Sequence, residues 1–168
     1  VLIGYKAGSK VTSGDKNIMI GNAATNDVSG GAFTGSANIF MGFCAGNSTC
    51  LGTVSDSIFM GHYAGAQASG NRSVFIGSSA GRKFNCGCCN IAIGYDAMCG
   101  ESSSSTGTNN IAMGNEALYK LESGSNNVAI GADALRCMTT KSNVTAIGVL
   151  AACRSNPNGG GVFVASFF

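Results

Sequence analysis

One short motif recurs along the whole chain: Asn, an aliphatic residue, any residue, an aliphatic residue and Gly, with Ala three residues after the glycine. Clear copies are Asn17-Ile18-Met19-Ile20-Gly21, Asn38-Ile39-Phe40-Met41-Gly42, Asn90-Ile91-Ala92-Ile93-Gly94, Asn110-Ile111-Ala112-Met113-Gly114 and Asn127-Val128-Ala129-Ile130-Gly131. Ser57 and Ser73 stand in for the Asn in two more. Such a repeat restricts the chain to folds in which each unit stacks on the next.

The motif glycines are Gly4, Gly21, Gly42, Gly61, Gly77, Gly94, Gly114, Gly131 and Gly148, and Ala165 takes the tenth place. Their spacing is mostly 16 or 17 residues and rises to 21 where loops swell. Stacked coils tolerate such insertions, because a bulging loop leaves the ladder beside it undisturbed. The expected fold is an all-β parallel β-solenoid (β-roll or β-helix) of about ten coils of 16-21 residues. Residues 1-168 form a single solenoid domain with loop insertions near 25-37, 46-56 and 99-109. Ten coils at about 4.8 Å would give a rod about 48 Å long.

Two aliphatic positions separated by one residue have the period of a strand. Ile18 and Ile20, or Val128 and Ile130, are therefore expected to point together into the coil. Ala7, Ala24, Ala45, Ala64, Ala80, Ala97, Ala117, Ala134 and Ala151 form a second inward file, suited to a narrow interior. The motif glycine is expected to make the corner. No coil could stand alone, since two buried aliphatic side chains cannot offset the entropy of ordering so long a segment.

The chain has 26 Gly, one Pro, no Trp and 11% charged residues, an unusual composition for a helix-based domain. A formal net charge of +2, with Lys and Arg unclustered, argues against a nucleic-acid partner. No apolar run is long enough to span a bilayer, and Val1-Leu2-Ile3-Gly4 lacks the layout of a signal peptide, as expected of a mature, trimmed or excised chain. Eight Cys in a Gly-rich chain point to an extracellular or cell-surface setting.

The files Asn-Ile-Ala-Ile-Gly-Tyr-Asp-Ala (90 to 97) and Asn-Val-Ala-Ile-Gly-Ala-Asp-Ala (127 to 134) resemble the head repeats of trimeric autotransporter adhesins and related repeats of phage tail fibres. The resemblance extends over nearly the whole chain. It implies a left-handed parallel β-roll with an adhesive or fibrous role. The coils here are longer, and cysteines are foreign to that pattern, so what carries over is architecture.

The residue between the two aliphatics is expected to face outward, and it reads Leu2, Met19, Phe40, Phe59, Phe75, then Ala92, Ala112, Ala129, Ala146, then Phe163. Such a stripe is either a second buried layer under a loop or a lateral contact with another subunit, headed by Met19, Phe40, Phe59 and Phe75. The switch from Phe to Ala would then set a large-residue half against a small-residue half. Val1, Leu2 and Ile3 at one end, and Val162, Phe163, Val164, Phe167 and Phe168 at the other, carry no polar cap. They are read as head-to-tail self-assembly surfaces, or as the cut ends of a longer repeat.

Cys44 with Cys50, and Cys137 with Cys153, are candidate disulfide pairs; Cys86, Cys88, Cys89 and Cys99 crowd one corner and could pair two and two. Zinc competes there, although Cys-x-Cys-Cys lacks the usual paired spacing, and no metal or cofactor is expected. Asn47, Asn71 and Asn143 head glycosylation sequons. His62, the one histidine, reads as a surface or corner residue. Asp96, Glu116 and Asp133 recur at one place in successive coils, either as solvated charges or as a carboxylate file for a cation or a polysaccharide lyase. Regular outward Thr-x-Thr ranks of an ice-binding face are absent. The functional expectation is a non-enzymatic structural subunit of an extracellular filament or fibre, partnered by itself. The alternative is an adhesin or tail-fibre shaft that binds surface glycans.

Overall fold

The structure is a computed structural model describing residues 1-26, 31-47, 53-102, 105-154 and 160-165. The expected insertions include residues 27-30, 48-52 and 103-104, which lie outside the described residues. Ten short strands follow one another: β1 (Leu2–Ile3), β2 (Ile18–Ile20), β3 (Ile39–Met41), β4 (Ile58–Met60), β5 (Val74–Ile76), β6 (Ile91–Ile93), β7 (Ile111–Met113), β8 (Val128–Ile130), β9 (Val144–Ile147) and β10 (Gly161–Val164). They form one parallel sheet in sequence order, and no helix occurs among the described residues. The chain is a β-solenoid of about nine turns.

Register pairs like with like. Met19 lies beside Phe40, Phe40 beside Phe59, Phe59 beside Phe75 and Phe75 beside Ala92, and the Ala file then continues through Ala112, Ala129 and Ala146. The ladder does not stop at the strand ends. Beyond the motif glycine the Tyr63 amide donates to Phe43 O at 2.9 Å, and Gly46 donates to Ala64 O at 2.9 Å. Backbone groups at the corner are thus satisfied by neighbouring coils.

The glycine does not turn the chain by itself. Left-handed backbone also falls two residues past it, as at Tyr63 (φ 55°) and Glu116 (φ 52°), and four residues past it, as at Leu118 (φ 52°) and Leu135 (φ 52°). A further left-handed residue, such as Asn109 (φ 57°), directly precedes the motif Asn. These conformations are costly for side-chain-bearing residues, so the ladder on either side must hold them. What the glycine supplies is space: a Cβ on Gly94 would stand 2.4 Å from Gly114 O in the next coil.

The inward and outward assignment of the strand is the reverse of the sequence expectation. Met19, Phe40, Phe59, Ala92, Ala112, Ala129 and Ala146 are 0% exposed and Phe75 is 1% exposed, so the stripe read as a lateral contact is the core itself. Ile18, Ile20 and their counterparts face out. A period of two says which residues share a face, not which face is inside. The motif Asn decides it, because Asn38, Asn90, Asn110 and Asn127 are fully buried and lie on the same face as the middle residue.

The Phe-to-Ala switch has an equally local cause. Six residues after the middle strand residue, Phe40, Phe59 and Phe75 meet Gly46, Gly65 and Gly81, where a Cβ would come within 3.0, 2.5 and 2.4 Å of the ring. Ala92, Ala112 and Ala129 instead meet Met98, Leu118 and Leu135, all fully buried. Large and small residues therefore exchange places inside each coil, and no half of the rod faces another. Phe40, Phe59 and Phe75 stack with centroids 4.9 and 5.0 Å apart. The expected alanine file is inside, with Ala24, Ala45, Ala64, Ala80, Ala97, Ala117 and Ala134 at 0% exposure. Phe84, Leu121 and Met138 add a further buried layer that the motif did not signal.

Candidate functional site

With the strand reversed, the outer face of the sheet carries two columns of side chains. One contains Ile18, Ile39, Ile58, Val74, Ile91, Ile111, Val128 and Thr145; the other contains Ile20, Met41, Met60, Ile76, Ile93, Met113, Ile130 and Ile147. All but Thr145 are apolar and none is charged. Most are half-buried by their neighbours, while Met113, Ile130 and Ile147 reach 39, 38 and 43% exposure. Over ten strands the columns run for roughly 43 Å at the usual strand spacing. A contiguous apolar surface of this extent is seldom left in water.

Polar residues border it. Just before the motif Asn or its substitute, on left-handed corners, stand the polar Lys16, Asp56, Arg72, Asn109, Asn126 and Asn143, with Ala37 and Cys89 at the same position in two further coils. On the other side, directly after the glycine, lies an aromatic-rich corner. There Phe43 stacks on His62 (5.3 Å, 19°), Tyr63 meets both edge-on, and the Arg82 guanidinium lies 5.1 Å from the Tyr63 centroid. His62 is exposed, as its reading as a corner residue expected.

Asp96, Glu116 and Asp133 share one left-handed corner position. Arg136 pairs with Glu116 and, at 3.2 Å, with Asp133, which gives two of the three carboxylates a cationic partner. Among the described residues no group of three or more His, Cys, Asp or Glu side chains is arranged to hold a metal.

The candidate disulfide residues fare differently. Cys50 lies outside the described residues, and Cys44 is buried with a free thiol. Cys86, Cys88, Cys89, Cys99, Cys137 and Cys153 are also free. The four-cysteine corner is only partly assembled: Cys88 and Cys89 Sγ are 3.3 Å apart, while the backbone places Cys86 against Ser105 and Cys99 against Lys83. Cys137 and Cys153 are direct neighbours, with the Cys137 amide donating to Cys153 O at 3.2 Å.

Burial, aided by the Asp96 carboxylate, pushes the Cys99 thiol up to about 11 from 9.0. Thiolates are the reactive form, so at pH 8 Cys99 has about 100-fold less thiolate than an unperturbed cysteine. Timed alkylation with mass spectrometric readout is expected to label exposed Cys86 first and buried Cys99 far more slowly. Comparable rates would contradict the burial.

At the ends, Val1, Leu2, Ile3, Val162 and Val164 are exposed, Phe163 is half-buried, and Phe167 and Phe168 lie outside the described residues. Of the sequon asparagines, Asn71 and Asn143 are exposed and Asn47 is half-buried. Asn71 is also a structural acceptor, its Oδ1 taking the Ser55 amide at 2.9 Å.

Comparison with known proteins adds no label. No family model, curated protein or solved structure matches this chain. The adhesin and tail-fibre resemblance therefore rests on the repeat, and what the structure supports is the parallel solenoid. No helix among the described residues is long and apolar enough to cross a membrane.

Proposed function

We propose that the chain is a non-catalytic structural subunit of an extracellular fibre, and that it associates with copies of itself. One observation carries the reading: a straight file of outward Ile, Val and Met runs the length of the sheet, uncharged and bordered on the side of the motif Asn mainly by polar residues. An apolar centre with a polar rim is the usual anatomy of a protein interface. A second copy is the partner that fits best, since its columns repeat at the same rung spacing and bring no charge to be desolvated. Growth along the axis, through further coils of this chain or a neighbouring copy, would extend the same ladder at β1 and β10. The cysteines and sequons support a location outside the cell.

The test is direct. In sedimentation velocity and negative-stain microscopy the chain is expected to assemble laterally. Ile93→Lys combined with Ile130→Lys should yield dispersed rods with unchanged circular dichroism, whereas Asn109→Lys on the rim should leave assembly intact. Dispersed single rods of the unmodified chain would overturn the proposal.

The aromatic corner favours a second reading, a shaft that binds surface glycans. Exposed rings offer flat apolar platforms to pyranose faces, and His62 and Arg82 supply donors. Glycan-array binding abolished by Phe43→Ala, with assembly unaffected, would move the assignment to this reading.

A further inference from the structure

Cys137 and Cys153 occupy the same corner of two successive turns, after β8 and after β9. Both line one cavity of about 250 Å³, together with Asp133, Arg136, Leu150 and Arg154. Their direct backbone hydrogen bond sets Cys137 and Cys153 on adjacent rungs one residue out of register, which places the two Cα atoms ~6 Å apart. That lies within the ~4.4–6.8 Å over which a disulfide closes without moving the backbone. Both cysteines are half-buried and line the cavity, so a small reagent seated there can reach them. The two arginines differ in commitment. Arg136 is engaged by Glu116 and Asp133, whereas among the described residues no carboxylate lies within ion-pair distance of exposed Arg154.

We infer that this cavity is a thiol–disulfide exchange site, in which a small anionic disulfide of the glutathione type docks a carboxylate on Arg154 and leaves a Cys137–Cys153 cross-link between turns. The electron balance is that of ordinary exchange. One cysteine thiolate attacks a sulfur of the oxidised peptide disulfide, forming a mixed disulfide and expelling one small thiolate. The second cysteine thiolate then attacks the protein-bound sulfur, forming the Cys137–Cys153 bond and expelling the other. The protein dithiol loses two electrons, the small disulfide gains them, and the two cysteine protons end on the two released thiols. The link closes a loop of one full turn and ties two rungs that are otherwise held by hydrogen bonds and packing.

The purified full chain, reduced and then exposed to oxidised glutathione, tests this independently of where the protein resides. Trypsin cuts after Arg136, Lys141 and Arg154, so the cross-link joins the peptide 137-141 to the peptide 142-154. That linked pair is expected to be the main disulfide product. The thermal midpoint should rise by roughly 5–10 °C on oxidation, and Cys153→Ser should abolish the rise. At low salt, oxidised glutathione should react several-fold faster than neutral hydroxyethyl disulfide, and Arg154→Gln should remove that advantage. Free, alkylatable Cys137 and Cys153 after oxidation, or a persistent glutathione adduct without the link, would overturn the site. Equal rates with the neutral and anionic disulfides would overturn the docking role of Arg154.

Discussion

Replacing Phe75 by Ala is expected to cost about 3–5 kcal/mol of unfolding free energy, and pairing that change with Gly81→Leu is expected to recover at least half of the loss. Phe75 is 1% exposed and stacks on Phe59 at 5.0 Å, so its removal empties a site with little freedom to collapse. Gly81→Leu alone should also destabilise, by about 1–3 kcal/mol from overpacking, with further strain from a left-handed backbone. A Cβ at Gly81 would meet Phe75 Cδ2 at 2.4 Å, and its φ is +60°. Together the two changes transplant the Ala112 and Leu118 pair from two turns further along, where Leu118 tolerates a φ of 52°. Urea denaturation of the two single variants and the double variant forms a closed cycle. Additive losses would show that the two positions do not share one space.

Much of this architecture is legible in the sequence. The Gly-to-Gly spacing gave the coil length, and the alanine three residues on gave one inward file, because both express the ladder directly. The facing of the strand was not legible from aliphatic content, because Ile-x-Ile and x-Phe-x are both apolar on either face. The buried Asn is the clue that would have settled it. A polar residue repeated in most coils has to find hydrogen bonds, and in a solenoid those are carbonyls and amides of the neighbouring coil. Likewise Gly81 against Phe75, and Leu118 against Ala112, sit at a fixed offset of six residues in the sequence. Reading the two files jointly would have identified them as one packed layer. Taken alone, the Phe file looks like a surface stripe, whereas it lies in the core and the outward Ile and Met columns form the candidate interface.

The cysteines show a different boundary. Spacing placed Cys137 and Cys153 in equivalent turns, and the structure brings them together, because both lie at similar offsets from their motif glycines. The same kind of reasoning failed for Cys99. Its backbone runs beside Lys83, and its thiol is buried against Asp96, away from a pairing that proximity in sequence had made attractive.

The buried asparagine file is expected to be the least replaceable polar element of the rod. Asn110 is fully buried: its Nδ2 donates to Asn90 Oδ1 (3.1 Å) and to Gly124 O (2.9 Å), and its Oδ1 accepts the amide and the Nδ2 of Asn127, each at 3.0 Å. One side chain therefore joins three coils. Asn110→Leu would orphan the Asn127 amide and the Gly124 carbonyl in a dry interior, at about 1–3 kcal/mol for each group, or about 2–6 kcal/mol in all. Asn110→Ser should be milder, about 1–2 kcal/mol, because the chain already uses that solution. Ser57 Oγ accepts the Ser73 amide at 3.2 Å, and Ser73 Oγ accepts the Asn90 amide at 3.3 Å. Hydroxyl at this position keeps the amide of the next coil bonded, although it gives up the reach to the glycine carbonyl. Equilibrium unfolding gives the two magnitudes, and hydrogen exchange at the Asn127 amide distinguishes their cause, with protection lost in the Leu variant and largely kept in the Ser variant. Equal losses for Leu and Ser would mean that side-chain shape, rather than the continuity of hydrogen bonds from coil to coil, holds the file in place.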